Sequence, residues 1–224
     1  RFGKTLNLDM LEHFFSVNYS ERGDLFRSLS IWKEEKYQKL QGSYPVISLS
    51  FANVKETTFA NARKSICQII KKQYNKYDFL LECDYLNEDE KEAYRNVSAD
   101  MEDYLASASL NTLSDYLMRY YGKKVIILLD EYDTPMQEAY LNGYWNEMVS
   151  FIRNLFNSTF KTTSFLERAL MTGITRVSKE SIFSDLNNLV VITTTSDLYA
   201  DCFGFTQQEV WEVLEEYGLS STKD

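Results

Sequence analysis

Two short stretches far apart in the chain carry residue types that do chemistry together. One is Asp130-Glu131, inside Lys123 to Pro135, read KKVIILLDEYDTP; the other is Gly3-Lys4-Thr5. Val125 to Leu129 are apolar and end abruptly in the two acids. So short an apolar run reads as a strand buried on both faces of a parallel sheet. Carboxylates at the carboxyl end of such a strand stand where open α/β sheets bind ligands. Out of water they need something positive opposite them, and magnesium with a nucleotide would supply it. A helix opened by Gly-Lys-Thr is the complement. Its first amides point at phosphates, Lys4 adds a cation, and Thr5 offers a hydroxyl to the metal. The expected nucleotide cradle is therefore Gly3, Lys4, Thr5 and Leu6, and the expected metal ligands are Thr5 and Asp130. Asp130 is expected to face only the metal, so that removing it would strand no buried partner. Each stretch has a plainer reading beside this one: an acidic turn that caps the next helix, and a helix start with a stray lysine. Asp133 either caps the helix that Pro135 begins or supports the site from behind.

The elements that must hold these residues alternate in type. Leu8, Leu11 and Phe15, with Met10 and Phe14, give the helix after Thr5 a broad apolar side. Glu21 to Gly42 reads as short helices with a surface excursion. Tyr44 to Phe51 (YPVISLSF) reads as a strand and Phe59 to about Leu81 as an amphipathic helix. The charged run Asn87 to Asp103 is expected to be helical with a solvated face. Leu110, Leu113, Leu117 and Tyr120 mark a helix that Gly122 ends, and the central strand follows. Asn142 to Phe160 reads as one further helix. Arg168 to Thr175 (RALMTGIT) and Leu189 to Thr194 (LVVITT) are the last strand candidates. Phe205-Thr206 with Glu209-Val210 fits a capping box with a hydrophobic staple. Such alternation predicts a parallel sheet with helices on both faces.

Composition narrows the function classes. A chain of 224 residues with 44% apolar content, 16 Tyr and 14 Phe can bury one substantial core. Its net charge of −9 gives no electrostatic footprint for nucleic acid, so no direct nucleic-acid binding is expected. Cys67, Cys83 and Cys202 fit neither a zinc spacing nor a disulfide framework, which points to a reducing, cytoplasmic setting. There is no run of 18 apolar residues for a membrane span, and no signal peptide is expected. His13 is the only histidine, which argues against a His-based triad and a multi-His metal site.

RFGKT, LLDEYDTP, TGITRVSKESIFSDLNNL and FGFTQQEV, in that order, resemble the bacterial AAA-ATPase-like family over nearly the whole chain. The resemblance implies an α/β fold: a three-layer P-loop NTPase core (residues 1–204) with a mostly parallel sheet flanked by helices, and the start of a helical lid (205–224). It implies that the first strand and the early phosphate loop precede Arg1. That strand would lie beside the strand ending in Leu129 or the one ending in Thr175, and the chain as given is expected to bind ATP poorly. It makes Gly3-Lys4-Thr5 the end of a Walker A motif and Asp130-Glu131 a Walker B motif, with ATP and Mg2+ as cofactors. Lys4 would contact the β- and γ-phosphates, Glu131 would orient or deprotonate the attacking water, and Thr175 or Arg176 would sense the γ-phosphate. A surface ion pair is the plainer reading of Arg176. Members of the family often carry a PD-(D/E)XK nuclease-like domain after the ATPase part, a partner that would lie outside this chain. An ATP-dependent switch with little turnover, controlling such an effector, uses the same motifs. A nucleic-acid-binding module is a third reading, against which the acidic balance counts.

Overall fold

A computed structural model describes residues 3–161, 164–174, 182–183, 186, 188–193, 195–199 and 204–219. Helix α1 (Lys4–Phe15) is followed by 3₁₀ turns and the one-turn helix α2 (Glu35–Gln38), then strand β1 (Val46–Ser50). Helices α3 (Phe59–Lys76), α4 (Glu88–Asn96) and α5 (Asp103–Tyr121) lead to strand β2 (Val125–Asp130). Helices α6 (Thr134–Asn142) and α7 (Trp145–Phe160), strand β3 (Leu166–Met171) and helix α8 (Gln207–Glu216) complete the described elements. The three strands are parallel, in the order β1-β2-β3.

The sheet is built around β2, all six of whose residues are buried. Alternate side chains of a strand point to opposite faces, and the core divides accordingly. Val125, Ile127 and Leu129 join Ile47, Leu49 and the apolar sides of α3, α5 and α7. Ile126 and Leu128 join Val46 and, from α1, Leu8, Leu11 and Phe15. Each fully buried Leu or Ile contributes about 1.5–3 kcal/mol. The stripe of α1 thus fixes the helix across the sheet face, with its N-terminus at the carboxyl ends of the strands. The result is an α/β architecture with helices on both faces of a parallel sheet.

Several expectations are corrected. The helix expected over Asn142 to Phe160 is α7, which begins three residues later, at Trp145; Asn142 is instead the last residue of α6, which Gly143 ends with a left-handed backbone. The helix expected to run to Leu81 ends at Lys76 and passes into a 3₁₀ turn. Only the first part of the charged run, α4, is helical before α5 begins at Asp103. β3 runs from Leu166 to Met171, so it stops short of Thr175. Residues 189–193 form no strand; Thr194 lies outside the described residues. β2 has a partner on each side, which leaves no place for a further strand beside it. β3 is paired only on its β2 side among the described residues, and its four middle residues are exposed. The capping box forms at Thr206 and Glu209, but Phe205 is 83% exposed and closes no staple. Among the described residues, no helix is long and apolar enough to cross a membrane.

The charged run is less bland than a solvated face. Glu90 of α4 caps its own helix through Asn87 and receives Arg119 Nη2 from α5 at 2.8 Å. The Arg119 hydrogen bond holds the Glu90 carboxyl below its ordinary range. A folded-state value lower than the unfolded one gives stability that is present at neutral pH and lost as pH falls through the folded value. The urea midpoint of the wild type is therefore expected to fall further on acidification than that of Glu90→Gln. Equal falls would remove the pair from the acid response.

Candidate functional site

Gly3 stands at the N-cap of α1 with φ +69°, a left-handed conformation that glycine adopts at no steric cost. Its carbonyl accepts the Asn7 amide N–H at 2.9 Å and the Asn7 side chain at 3.0 Å, which fixes the first turn. Lys4 is half-buried and Thr5 and Leu6 are exposed on that turn, Leu6 at 72%. Lys4 forms no ion pair among the described residues, so its charge is available to a ligand.

The carboxyl end of β2 meets this turn directly. Thr5 Oγ1 donates to Asp130 Oδ2 at 2.7 Å, a contact between residues 125 apart in sequence. From the other side, Thr172 Oγ1 donates to Asp130 Oδ1 at 2.5 Å. Asp130 is 5% exposed, and both its oxygens are engaged by hydroxyls. The expectation that it faces only a metal is thus overturned, because removing it would strand two donors. Glu131 follows with φ +48°, one of two positive-φ residues other than glycine among those described. Such a backbone costs about 1–3 kcal/mol and persists only where the surroundings enforce it. Here Tyr132 N–H donates to Thr172 O at 3.1 Å and Thr134 N–H to Glu131 O at 3.2 Å. The Glu131 carboxylate accepts the Thr134 hydroxyl at 3.3 Å. Pro135 sits in the first turn of α6 as expected.

Gly3, Lys4, Thr5, Leu6, Asp130 and Glu131 are therefore described at one end of the sheet, with Thr5 and Asp130 in contact. Thr175 and Arg176 lie outside the described residues. Thr172 is the member that sequence reasoning missed. Its signal was a hydroxyl next to Gly173 after an apolar run, hidden because the strand was expected to continue to Thr175.

A hydroxyl that donates its proton to Asp130 keeps its lone pairs for a cation. Thr5 and Asp130 thus offer hard oxygen ligands of the kind magnesium takes, usually completed by water and substrate phosphates. Among the described residues no three His, Cys, Asp or Glu side chains gather as a metal cluster. A metal here would depend on the hydroxyl and on the nucleotide's own oxygens. A separate groove among α3, α5 and α7 is lined by Phe59, Asp103, Glu147 and Phe151 among others. It holds two acids, and the Arg63 guanidinium beside it is already paired with Asp103, which does not suit a phosphate.

A profile of the AAA-ATPase-like family, described as predicted AAA-ATPases, matches residues 1–183. The chain belongs to the AAA-ATPase-like family. A protein of Azotobacter chroococcum mcd 1, named as an uncharacterized protein in the vnfD 5′ region, is 26% identical over 211 residues. The match covers 94% of this chain and 36% of that relative, so the chain spans little more than a third of the relative's length. No solved structure matches the chain. Family membership supports an ATPase at a coarse level.

Proposed function

We propose that the residues of this chain bind ATP with magnesium and hydrolyse it in the full-length protein. The observation that carries the reading is the 2.7 Å bond from Thr5 to Asp130, which brings the Gly-Lys-Thr helix start to the acidic end of the central strand. Lys4 and the first amides of α1 bind the β- and γ-phosphates, with the positive end of the helix dipole behind them. Thr5 and Asp130 hold magnesium, which when bound supplies charge neutralisation on the phosphate oxygens. Glu131 lies just past Asp130 on a backbone turned away from the strand, and it orients or deprotonates the attacking water. Residues 1–204 form the nucleotide-binding core and 205–224 begin a lid. Steady-state phosphate release with Mg-ATP tests the reading, alongside calorimetric titration with ATP. Binding without turnover would leave the second reading, an ATP-dependent switch that controls an attached effector. The Thr134 bond on Glu131 favours that alternative, because it holds the acid away from free rotation.

Arg176 is proposed to contact the γ-phosphate. A guanidinium grips phosphate with two parallel donors, and an ammonium does not reproduce this. Arg176→Lys is expected to lower turnover by about tenfold or more and to leave ADP affinity nearly unchanged. Equal losses for ATP and ADP would show that Arg176 does not read the γ-phosphate.

A further inference from the structure

Asp133 has no exposed surface, yet it is a carboxylate at the start of a helix. A carboxyl group taken wholly out of water needs hydrogen-bond donors. The obvious donors would be the first amides of α6, but the Asp133 side chain makes no capping bond to its own helix. Its Oδ2 accepts the backbone N–H of Ile174 at 3.0 Å and the Gln137 side chain at 2.8 Å. Ile174 belongs to the turn that leaves β3. The residue before Ile174 is Gly173. A Cβ on Gly173 would lie 2.7 Å from Asp133 Oδ1 and 2.9 Å from the Tyr132 ring, so only glycine permits so close an approach. Thr172, one residue earlier, is tied to the same segment by its backbone. Its N–H donates to Leu129 O at 2.9 Å, and its carbonyl accepts from Tyr132 N–H at 3.1 Å. Two of the three residues after β3, Thr172 and Ile174, are thus bonded to the end of β2 and the segment that follows it, Ile174 through Asp133.

We infer that Asp133 is a positioning residue: it clamps the Thr172–Ile174 turn so that the Thr172 hydroxyl stays on Asp130. It acts through Thr172 and Asp130 and touches no nucleotide. Its consequence for turnover rests on the ATPase reading above, whereas the clamp itself does not. A helix start and a strand end carry the two sides of the Asp130 carboxylate, Thr5 on α1 and Thr172 after β3, and the clamp keeps the β3 side from drifting.

The test is amide hydrogen exchange in the nucleotide-free protein, which reads local opening residue by residue. In Asp133→Ala the Ile174 amide is expected to exchange about tenfold faster or more, while Ile127 in β2 keeps its protection. Asp133→Asn retains one oxygen and is expected to restore most of the Ile174 protection. Should Asp133→Ala fail to fold, Gly173→Ala leaves the carboxylate in place and pushes the turn away from it, with the same expected release of Ile174. An Ile174 amide that exchanges at the wild-type rate in the folded Asp133→Ala or in Gly173→Ala overturns the proposal. So does a release of Ile174 only in step with Ile127, which is global loosening. Where the wild type turns over ATP, Asp133→Ala is expected to lower kcat about tenfold with KM within about threefold; unchanged kcat with a released Ile174 amide would also overturn it. A wild type that binds no ATP removes the ATPase reading and leaves the exchange result to decide the clamp.

Discussion

Glu131→Gln is expected to lower ATP turnover by about 10²–10⁴, the usual cost of losing a general base, with Mg-ATP affinity changed less than threefold. The substitution keeps the side chain's shape and an oxygen for the Thr134 hydroxyl, which stands 3.3 Å from the carboxylate. It removes only the charge and the proton-accepting ability. A companion variant separates chemistry from folding. Glu131 has φ +48°, where any side chain with a Cβ is strained by about 1–2 kcal/mol. Glu131→Gly relieves that strain and incurs about 0.5–1 kcal/mol of extra backbone entropy. It also removes the 3.3 Å acceptor of the buried Thr134 hydroxyl, so the strain relief is offset and the melting temperature is expected to stay within about 4 °C of the wild type, while turnover is lost. An acid kept in a strained conformation, whose removal does not destabilise the fold, is an acid kept for function. Unchanged turnover in Glu131→Gln would take Glu131 out of the mechanism. A clear fall in melting temperature for Glu131→Gly would make it a structural residue.

The central strand and the Thr5–Asp130 meeting were legible because both rest on strong local signals. An apolar run cut off by two acids fixes where a buried strand ends, and Gly-Lys-Thr before an apolar stripe fixes where a helix begins. What joins them, the packing of Leu8, Leu11 and Phe15 on Ile126 and Leu128, follows from the same stripe. The other side of the site was not legible. In RALMTGIT the one interruption, Gly173, falls after the true end of the strand, which pairing sets: Leu129 opposite Met171 is the last rung. Thr172 is thereby placed at the Asp130 carboxylate, a position that hydropathy assigned to the strand interior. LVVITT has the composition of a strand, but β-propensity expresses itself only where a neighbouring edge and a buried face exist. Val190 is 73% exposed there, and no ladder forms over 189–193. The start of α7 was placed three residues early, at Asn142, because Gly143 was passed over as the end of the preceding helix. Glu90 was read with its charged neighbours as solvated, and nothing in sequence links it to Arg119 on another helix.

Asp130→Ala is expected to produce two separable losses, one of stability and one of metal dependence. Both carboxylate oxygens accept hydroxyls, from Thr5 at 2.7 Å and Thr172 at 2.5 Å, so the variant strands two donors. Their costs differ. Thr5 is exposed, and water can replace its lost acceptor; Thr172 is half-buried, and its hydroxyl is harder to satisfy. An unsatisfied buried donor costs about 1–3 kcal/mol. For a chain of this length each kcal/mol lowers the melting temperature by about 2–4 °C. The nucleotide-free variant should therefore melt lower by roughly 2–12 °C. The second loss appears only with ligand. Without Asp130, magnesium should no longer strengthen ATP binding, so affinities measured with magnesium and with a chelator converge. Asp130→Asn decides between a structural and a functional acid. Its amide oxygen still accepts one hydroxyl, and the other hydroxyl can rotate to accept from the amide nitrogen, so most of the stability returns. It carries no charge for the metal, so the magnesium effect stays lost. If Asp130→Asn restores the magnesium effect along with the melting temperature, Asp130 serves the fold alone, and the proposed metal site at Thr5 and Asp130 is wrong.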